Sequence, residues 1–205
     1  MSVVVLISGR GSNLEALLRA GIPVAAAISN VPGAGGLTIA QDYGVPTEVV
    51  DHRGYPTREA FEAVLAERID RYAPQLVAHA GFMRIVTPGH VERYAGRMLN
   101  IHPSLLPAFP GLRTHERALA AGVKVHGCTV HFVTAELDAG PIVVQAAVPV
   151  RPGDTVAALA ARVLRQEHVV YPRAVRWFLE GRLRLQEGRV DVEGGDAQLV
   201  YGDGA

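Results

Sequence analysis

Several things are scarce in this chain, and each scarcity excludes something. Among 205 residues there is one cysteine, Cys128, so no internal disulfide can form, which suits a reducing compartment. Set in an apolar run that reads as a strand, Cys128 is expected to be a plain buried thiol rather than a reactive one. Lys124 is the only lysine; the other basic residues are arginines. Acids and bases number 20 each, for a formal net charge of zero, which gives no electrostatic case for a nucleic-acid partner or a membrane surface. No apolar run approaches the length of a membrane span, and Met1-Ser2 leads into a strand rather than a signal peptide. The expectation is a cytoplasmic protein that meets neither nucleic acid nor membrane. The 8 histidines are scattered without H-x-x-x-H spacing, and one cysteine cannot make C-x-x-C, so no metal is expected. Internal repeats and low-complexity tracts are also absent.

What is present is apolar substance, 49% of the residues, enough for a substantial core in one domain spanning 1–205 with halves at 1–102 and 103–205. Residues 3–8 form a continuous, β-branched apolar run, as a strand buried on both faces does. Gly9-Arg10-Gly11-Ser12-Asn13 follows, then a helix over 14–19 with Gly21 available to end it. A strand, a glycine turn and a helix start can make an anion site, because the free amides of the first turn point outward. The same residues can also be only a tight turn capped by Ser12 or Asn13. A dinucleotide fits poorly: the third glycine of that fingerprint is missing, and the strand over 24–28 ends in Ser29-Asn30 instead of an acid. A single phosphate fits better.

The alternation continues with a helix over 37–43, a strand over 47–50, a longer amphipathic helix over 58–72, and a strand over 76–80. Helices between strands imply an α/β fold with a mostly parallel, doubly wound sheet. Ligands of such sheets bind beyond the carboxyl ends of the strands. Gly81-Phe82-Met83-Arg84-Ile85-Val86 begins at one such end, although Phe82 and Met83 would by themselves be assigned to the core. The second half turns antiparallel. Strands over 125–133 and 142–150 flank an eight-residue loop carrying Glu136 and Asp138, which is long for a plain hairpin. Asp154-Thr155 caps a long helix reaching 179, and residues 183–201 read as a terminal hairpin with turns at Gly188 and Gly194-Gly195.

The stretch that concentrates chemistry is 97–111, R-M-L-N-I-H-P-S-L-L-P-A-F-P-G. Side chains alternate along a strand, so Asn100 and His102 face one way, about 7 Å apart by the strand rise, while Ile101 faces the other. Pro103 ends the strand. An amide donor beside an imidazole suits acyl transfer, one serving an oxyanion and the other a proton. The bland alternative is a turn-forming Asn and a structural His. Ser104 and Cys128 have no triad context.

N-I-H-P-S-L-L-P-x-x-x-G resembles the signature of the folate-dependent formyltransferases, and P-G-L-R-T-H-E-R-A-L is similar to their phosphoribosylglycinamide formyltransferase branch. The resemblance runs from Val3 to about Gly181. It implies a Rossmann-like formyltransferase fold with an antiparallel C-terminal part and a long C-terminal helix, the second half lying on the folate side. It implies transfer of a formyl group from 10-formyltetrahydrofolate, as cosubstrate, to the amine of glycinamide ribonucleotide (GAR) in purine biosynthesis, by a monomer or homodimer without a metal. Carried over residue by residue, it makes Asn100, His102 and Asp138 catalytic, with Asp138 stabilising the imidazolium. Gly11, Ser12, Asn13 and Glu167 would then bind GAR; without the family Glu167 could equally be a helix surface charge. Arg58, Met83, Arg84, Ile85, Val86 and Asn100 would contact the folate. The loop T-A-E-L-D-A-G-P departs from the family's D-E-L-D-G-G-P at Ala135 and Ala139, which puts the folate contact there in doubt. His131 is a weaker candidate for orienting substrate or Asp138. Among rivals, methionyl-tRNA formyltransferase should carry a further basic domain and formyltetrahydrofolate hydrolase a preceding regulatory one. A nucleotide-binding module without catalysis would leave Asn100, His102 and Asp138 unexplained.

Overall fold

The computed structural model of the chain describes residues 2–202; the outermost positions of the domain expected over 1–205 lie outside the described residues. The chain forms two compact units, one running up to Asn100 and including Val133–Ala135, the other made of Ile101–Phe132 and the residues from Glu136 onward.

In the first unit β1 (Val3–Ile7) is buried at all 5 positions, as its unbroken apolar sequence requires. α1 (Ser12–Arg19), β2 (Val24–Ser29), α2 (Gly35–Asp42), β3 (Thr47–Val49), a 3-10 turn at His52–Gly54, α3 (Arg58–Asp70), β4 (Leu76–His79), α4 (Pro88–Arg93) and β5 (Met98–His102) follow, the last two residues of β5 belonging to the second unit. β1 pairs in parallel with β2 on one side and β4 on the other; β2 pairs with β3, and β4 with β5, again in parallel. The resulting order, β3-β2-β1-β4-β5, reverses direction beside β1. The gap between β1 and β4 is the switch point where a doubly wound sheet opens a crevice for ligands.

The core of this unit joins Leu6 and Val4 of β1 to Phe61, Leu65 and Ile69 of α3, and to Tyr94 and Met98. Truncating a buried leucine such as Leu65 costs about 2–5 kcal/mol. α3 begins where Thr57 accepts a hydrogen bond from the Ala60 amide at 3.1 Å, an N-cap worth about 1 kcal/mol. The buried face of this helix, with Phe61, Leu65, Ala66 and Ile69, also holds Glu62. Phe82 joins the core, but Met83 does not; it is 66% exposed, contrary to its apolar character.

The second unit holds α5 (Thr114–Ala120), β6 (Val125–Phe132), β7 (Ile142–Pro149), α6 (Val156–Leu179), β8 (Leu183–Gln186), β9 (Arg189–Val192) and β10 (Leu199–Tyr201). β6 and β7 pair antiparallel with an irregularity between Val130 and His131. Cys128 is fully buried in β6. α6 is the long C-terminal helix, capped by Thr155, whose side chain accepts from the Ala158 amide at 3.1 Å. Asp154 instead pairs with Arg162. The terminal hairpin is shorter than its sequence suggests. Only β8 and β9 pair antiparallel, while β10 runs parallel to β7. Gln198 turns the chain away by donating from Nε2 to the carbonyls of Val143 and Val190, both at 2.8 Å. No helix among the described residues is long and apolar enough to cross a membrane.

Candidate functional site

At the switch point of the first unit, the chain leaving β1 turns through Gly11, whose φ is +82°, and enters α1. Gly11 itself is the N-cap residue, and no side chain caps the helix; Ser12 and Asn13 are the first residues inside it. The alternative reading, a turn capped by Ser12 or Asn13, is therefore not what forms. A glycine at the N-cap brings no side chain of its own to the first-turn amides, and amides at a helix start are the groups that bind anions. Gly11 has a second duty. A Cβ there would meet the Gly36 Cα at 2.4 Å, and the Gly36 amide donates to the Gly9 carbonyl at 3.0 Å. The loop is thus locked onto the start of α2.

Across the switch point, residues 80–87 leave β4. The Ser8 amide donates to the Gly81 carbonyl at 3.1 Å, and the Met83 amide donates to Ser8 Oγ at 2.7 Å. Met83 and Ile85 are exposed, Val86 is buried, and Arg84 is half-buried with no hydrogen-bond partner at Nε. Arg58 is exposed at the first position of α3. Asn100, half-buried, stands in register with His79 of β4.

His102 ends β5 two positions after Asn100, so the two alternate with Ile101 as expected. In the second unit its Nε2 lies 3.2 Å from the Phe109 carbonyl oxygen. A carbonyl only accepts, so this nitrogen carries a proton. Nδ1 stands 3.5 Å from Asp138 Oδ2, with the two side chains only 7% and 8% exposed. Asp138 also accepts the Gly111 amide at 2.8 Å. The carboxylate and the imidazole are therefore held by the same Pro-rich loop, far apart in sequence but adjacent here.

A polar network stiffens that loop. Thr129 Oγ1, buried in β6, accepts from the Leu106 amide at 3.0 Å and from Gln145 Nε2 at 2.9 Å, and donates to the Ser104 carbonyl at 2.7 Å. Gln145 also reaches the Leu106 carbonyl at 2.9 Å. The Ser104 hydroxyl is committed to the Ala108 carbonyl at 2.7 Å and is fully buried, which fits its exclusion as a nucleophile. Phe109 takes a left-handed φ of +55°. Its ring is gripped between the His126 ring and the Arg117 guanidinium, at 5.9 and 5.7 Å. This contact offsets a conformation that costs a non-glycine residue on the order of 1 kcal/mol, and it aims the Phe109 carbonyl at His102.

His131 Nδ1 donates to its neighbour's carbonyl, that of Phe132, at 2.9 Å, and Nε2 is 3.9 Å from Asp138 Oδ1. Burial pushes this imidazole below the ordinary histidine range, opposed by the Phe132 carbonyl and the Asp138 charge. The ring thus flanks Asp138. Asp138 has φ +53°, whereas Ala139 is not among the residues of positive φ. An alanine at 139 therefore meets no conformational penalty there. Glu167 is buried, 7% exposed on α6, and is not the surface charge that its helix position allows. Burial first and the Glu167 charge second push the Cys128 thiol far up, so it stays protonated and inert. Among the described residues no three His, Cys, Asp or Glu side chains stand together as metal ligands.

Sequence reasoning missed the Phe109 carbonyl, the Gly111 amide, Thr129 and Ser8. The first two are backbone groups without a side-chain signature. The polar alternation in β6, where Thr129 and His131 share a face, was the available signal for the third.

A formyl transferase family model matches residues 1–175. The chain is 48% identical over 200 residues to the phosphoribosylglycinamide formyltransferase of Escherichia coli strain K12, covering 95% of this chain and 94% of that protein. Among solved structures, glycinamide ribonucleotide transformylase 1 from Symbiobacterium toebii superposes with a TM-score of 0.91 at 51% identity, covering 94% of this chain and 93% of that one. The phosphoribosylglycinamide formyltransferase from Anaplasma phagocytophilum gives 0.94 at 43% identity over 99% of both chains.

Proposed function

Since the chain belongs to the formyl transferase family, we propose that it transfers the formyl group of 10-formyltetrahydrofolate to the amine of GAR, releasing formyl-GAR and tetrahydrofolate. The observation that carries this reading is the buried pair of His102 and Asp138, one residue beyond the strand position that follows Asn100. The GAR amine attacks the formyl carbon, forming a C–N bond and placing negative charge on the formyl oxygen. The Asn100 side-chain amide donates to that oxyanion. With Nε2–H held by Phe109, the proton shed by the amine is taken at His102 Nδ1, turning the 3.5 Å contact with Asp138 into an ion pair. Collapse of the tetrahedral intermediate breaks the bond to N10 of the folate, and the same proton ends on N10. No covalent enzyme intermediate is needed.

Gly11, Ser12, Asn13 and Glu167 bind GAR in this reading, the first three through its phosphate at the start of α1. The single strand-end phosphate loop supports a monophosphate. Arg58, Met83, Arg84, Ile85, Val86 and Asn100 contact the folate. The names of the relatives, phosphoribosylglycinamide formyltransferase and glycinamide ribonucleotide transformylase, support GAR as the acceptor of the formyl group. The test is a coupled assay with GAR and 10-formyltetrahydrofolate that follows tetrahydrofolate. Turnover is expected to depend on both substrates; release of tetrahydrofolate at the same rate without GAR would make the protein a hydrolase instead.

A further inference from the structure

Residues 83–86 lie outside any helix or strand, with Met83 and Ile85 turned to solvent. A segment so exposed keeps one shape only when its backbone is tied to something rigid. Here both ends are tied. At the start, Ser8 brackets Phe82: its amide donates to the Gly81 carbonyl and its Oγ accepts the Met83 amide at 2.7 Å. The Ser8 hydroxyl donates to Asn30 Oδ1 at 2.5 Å, which leaves its lone pairs facing Met83. Asn30 is itself fixed, 2% exposed at the end of β2, with its carbonyl 3.0 Å from His52 Nδ1. At the far end, Glu62 of α3 accepts the Thr87 amide at 2.9 Å and the Thr87 hydroxyl as well. The hydrogen bonds of the Ser8 side chain run to Asn30 and from Met83, toward the segment and away from Asn100, His102 and Asp138 in sequence.

We propose that Ser8 is a positioning residue for the folate: with Asn30 behind it and Glu62 at the far end, it holds residues 83–86 in the shape that receives the pterin. The inference rests on the folate assignment made above. Ser8 then governs affinity for the folate and leaves affinity for the ribonucleotide alone. Losing the hydroxyl strands the Met83 amide and loosens the start of the segment, an effect worth roughly tenfold in affinity.

The experiment compares Ser8→Ala and Ser8→Thr with the wild type. Ser8→Ala is expected to raise KM for 10-formyltetrahydrofolate roughly tenfold, with KM for GAR and kcat at saturating folate nearly unchanged, and to lower the thermal midpoint by a few degrees because Asn30 Oδ1 loses its donor. Ser8→Thr, which restores an oxygen at the same place, is expected to return KM toward the wild-type value. An unchanged folate KM in Ser8→Ala overturns the proposal, as does an equal rise in both KM values. Equilibrium binding of tetrahydrofolate reads the same loss without turnover. A wild type that binds tetrahydrofolate but transfers no formyl group would defeat the proposed reaction, while Ser8→Ala would still decide this inference.

Discussion

Asn100 and His102 sit on one strand but would lose different things on truncation. Asn100→Ala removes one donor to the oxyanion, and kcat is expected to fall by roughly 10² to 10³. His102→Ala removes the proton acceptor, for a loss on the order of 10² to 10⁴. Both side chains close a strand whose own residues Met98 and Leu99 stay buried, so thermal midpoints should hold while kcat collapses. Near-normal turnover in either variant would remove acyl transfer from that residue. Asp138→Asn keeps an acceptor for the Gly111 amide, 2.8 Å away, but removes the charge facing Nδ1. Its kcat should drop by roughly 10², with KM for GAR unaltered; normal kcat would reduce Asp138 to a loop anchor. Two of these residues were legible as a polar pair on a strand end, and Asp138 only through family likeness. Its partnership with His102 joins positions 36 apart in sequence, which no local pattern encodes, and its left-handed backbone carries no signature in an aspartate.

At the scale of elements, the glycine loop separates conformation from contact. Gly44 and Gly11 both have positive φ, +70° and +82°, yet only Gly11 has a neighbour in the way, the Gly36 Cα. Gly44→Ala should cost about 1 kcal/mol, roughly 2–4 °C in thermal midpoint, from backbone conformation alone. Gly11→Ala should cost several times that and weaken GAR binding too, measured by thermal unfolding and by titration with GAR. Equal midpoints for the two variants would mean that α2 moves aside freely. The sequence of β1, β2, α3, β4 and α6 announced those elements because long apolar runs and helical spacing are strong signals. α4 and α5 were not read, being six and seven residues long, too short for periodicity. α5 also starts after Arg113 at φ +53°, without a capping side chain. Thr87-Pro88 at the start of α4 did carry a usable cap signal, a threonine followed by proline at the first position. β10 was placed in a hairpin because a short strand gives no clue to its partner; Gln198 decides it through two backbone carbonyls.

For the whole molecule, acid sensitivity follows from histidines that folding keeps neutral. His90 on α4 is 4% exposed, with no hydrogen-bond partner on either ring nitrogen and its ring 5.0 Å from that of Tyr94. Burial, reinforced by Arg93 on its own helix and opposed by Asp70 of α3, lowers it to about 4. Burial likewise lowers His126 to about 4. In the unfolded chain a histidine takes a proton near pH 6.5. Between about 6.5 and about 4 the unfolded state therefore binds more protons than the folded one, and stability must fall as pH falls. The contribution is fully present above pH 6.5, is lost on the way down to about 4, and changes no further below that. Asp154, held at about 2 first by the Arg162 side chain and then by the Arg151 amide, acts in a separate window, below the ordinary carboxylate value of 3.8. His90→Phe keeps a ring against Tyr94 and removes the titration. Thermal unfolding from pH 7.5 to 4.5 should then decline less steeply than in the wild type, by at most about 3 kcal/mol over the window at about 1.4 kcal/mol per pH unit. His126 keeps part of the slope in the variant, and the decline below pH 3.8 should be the same in both proteins. Parallel curves through the upper window would show that α4 opens to let His90 take its proton without global unfolding.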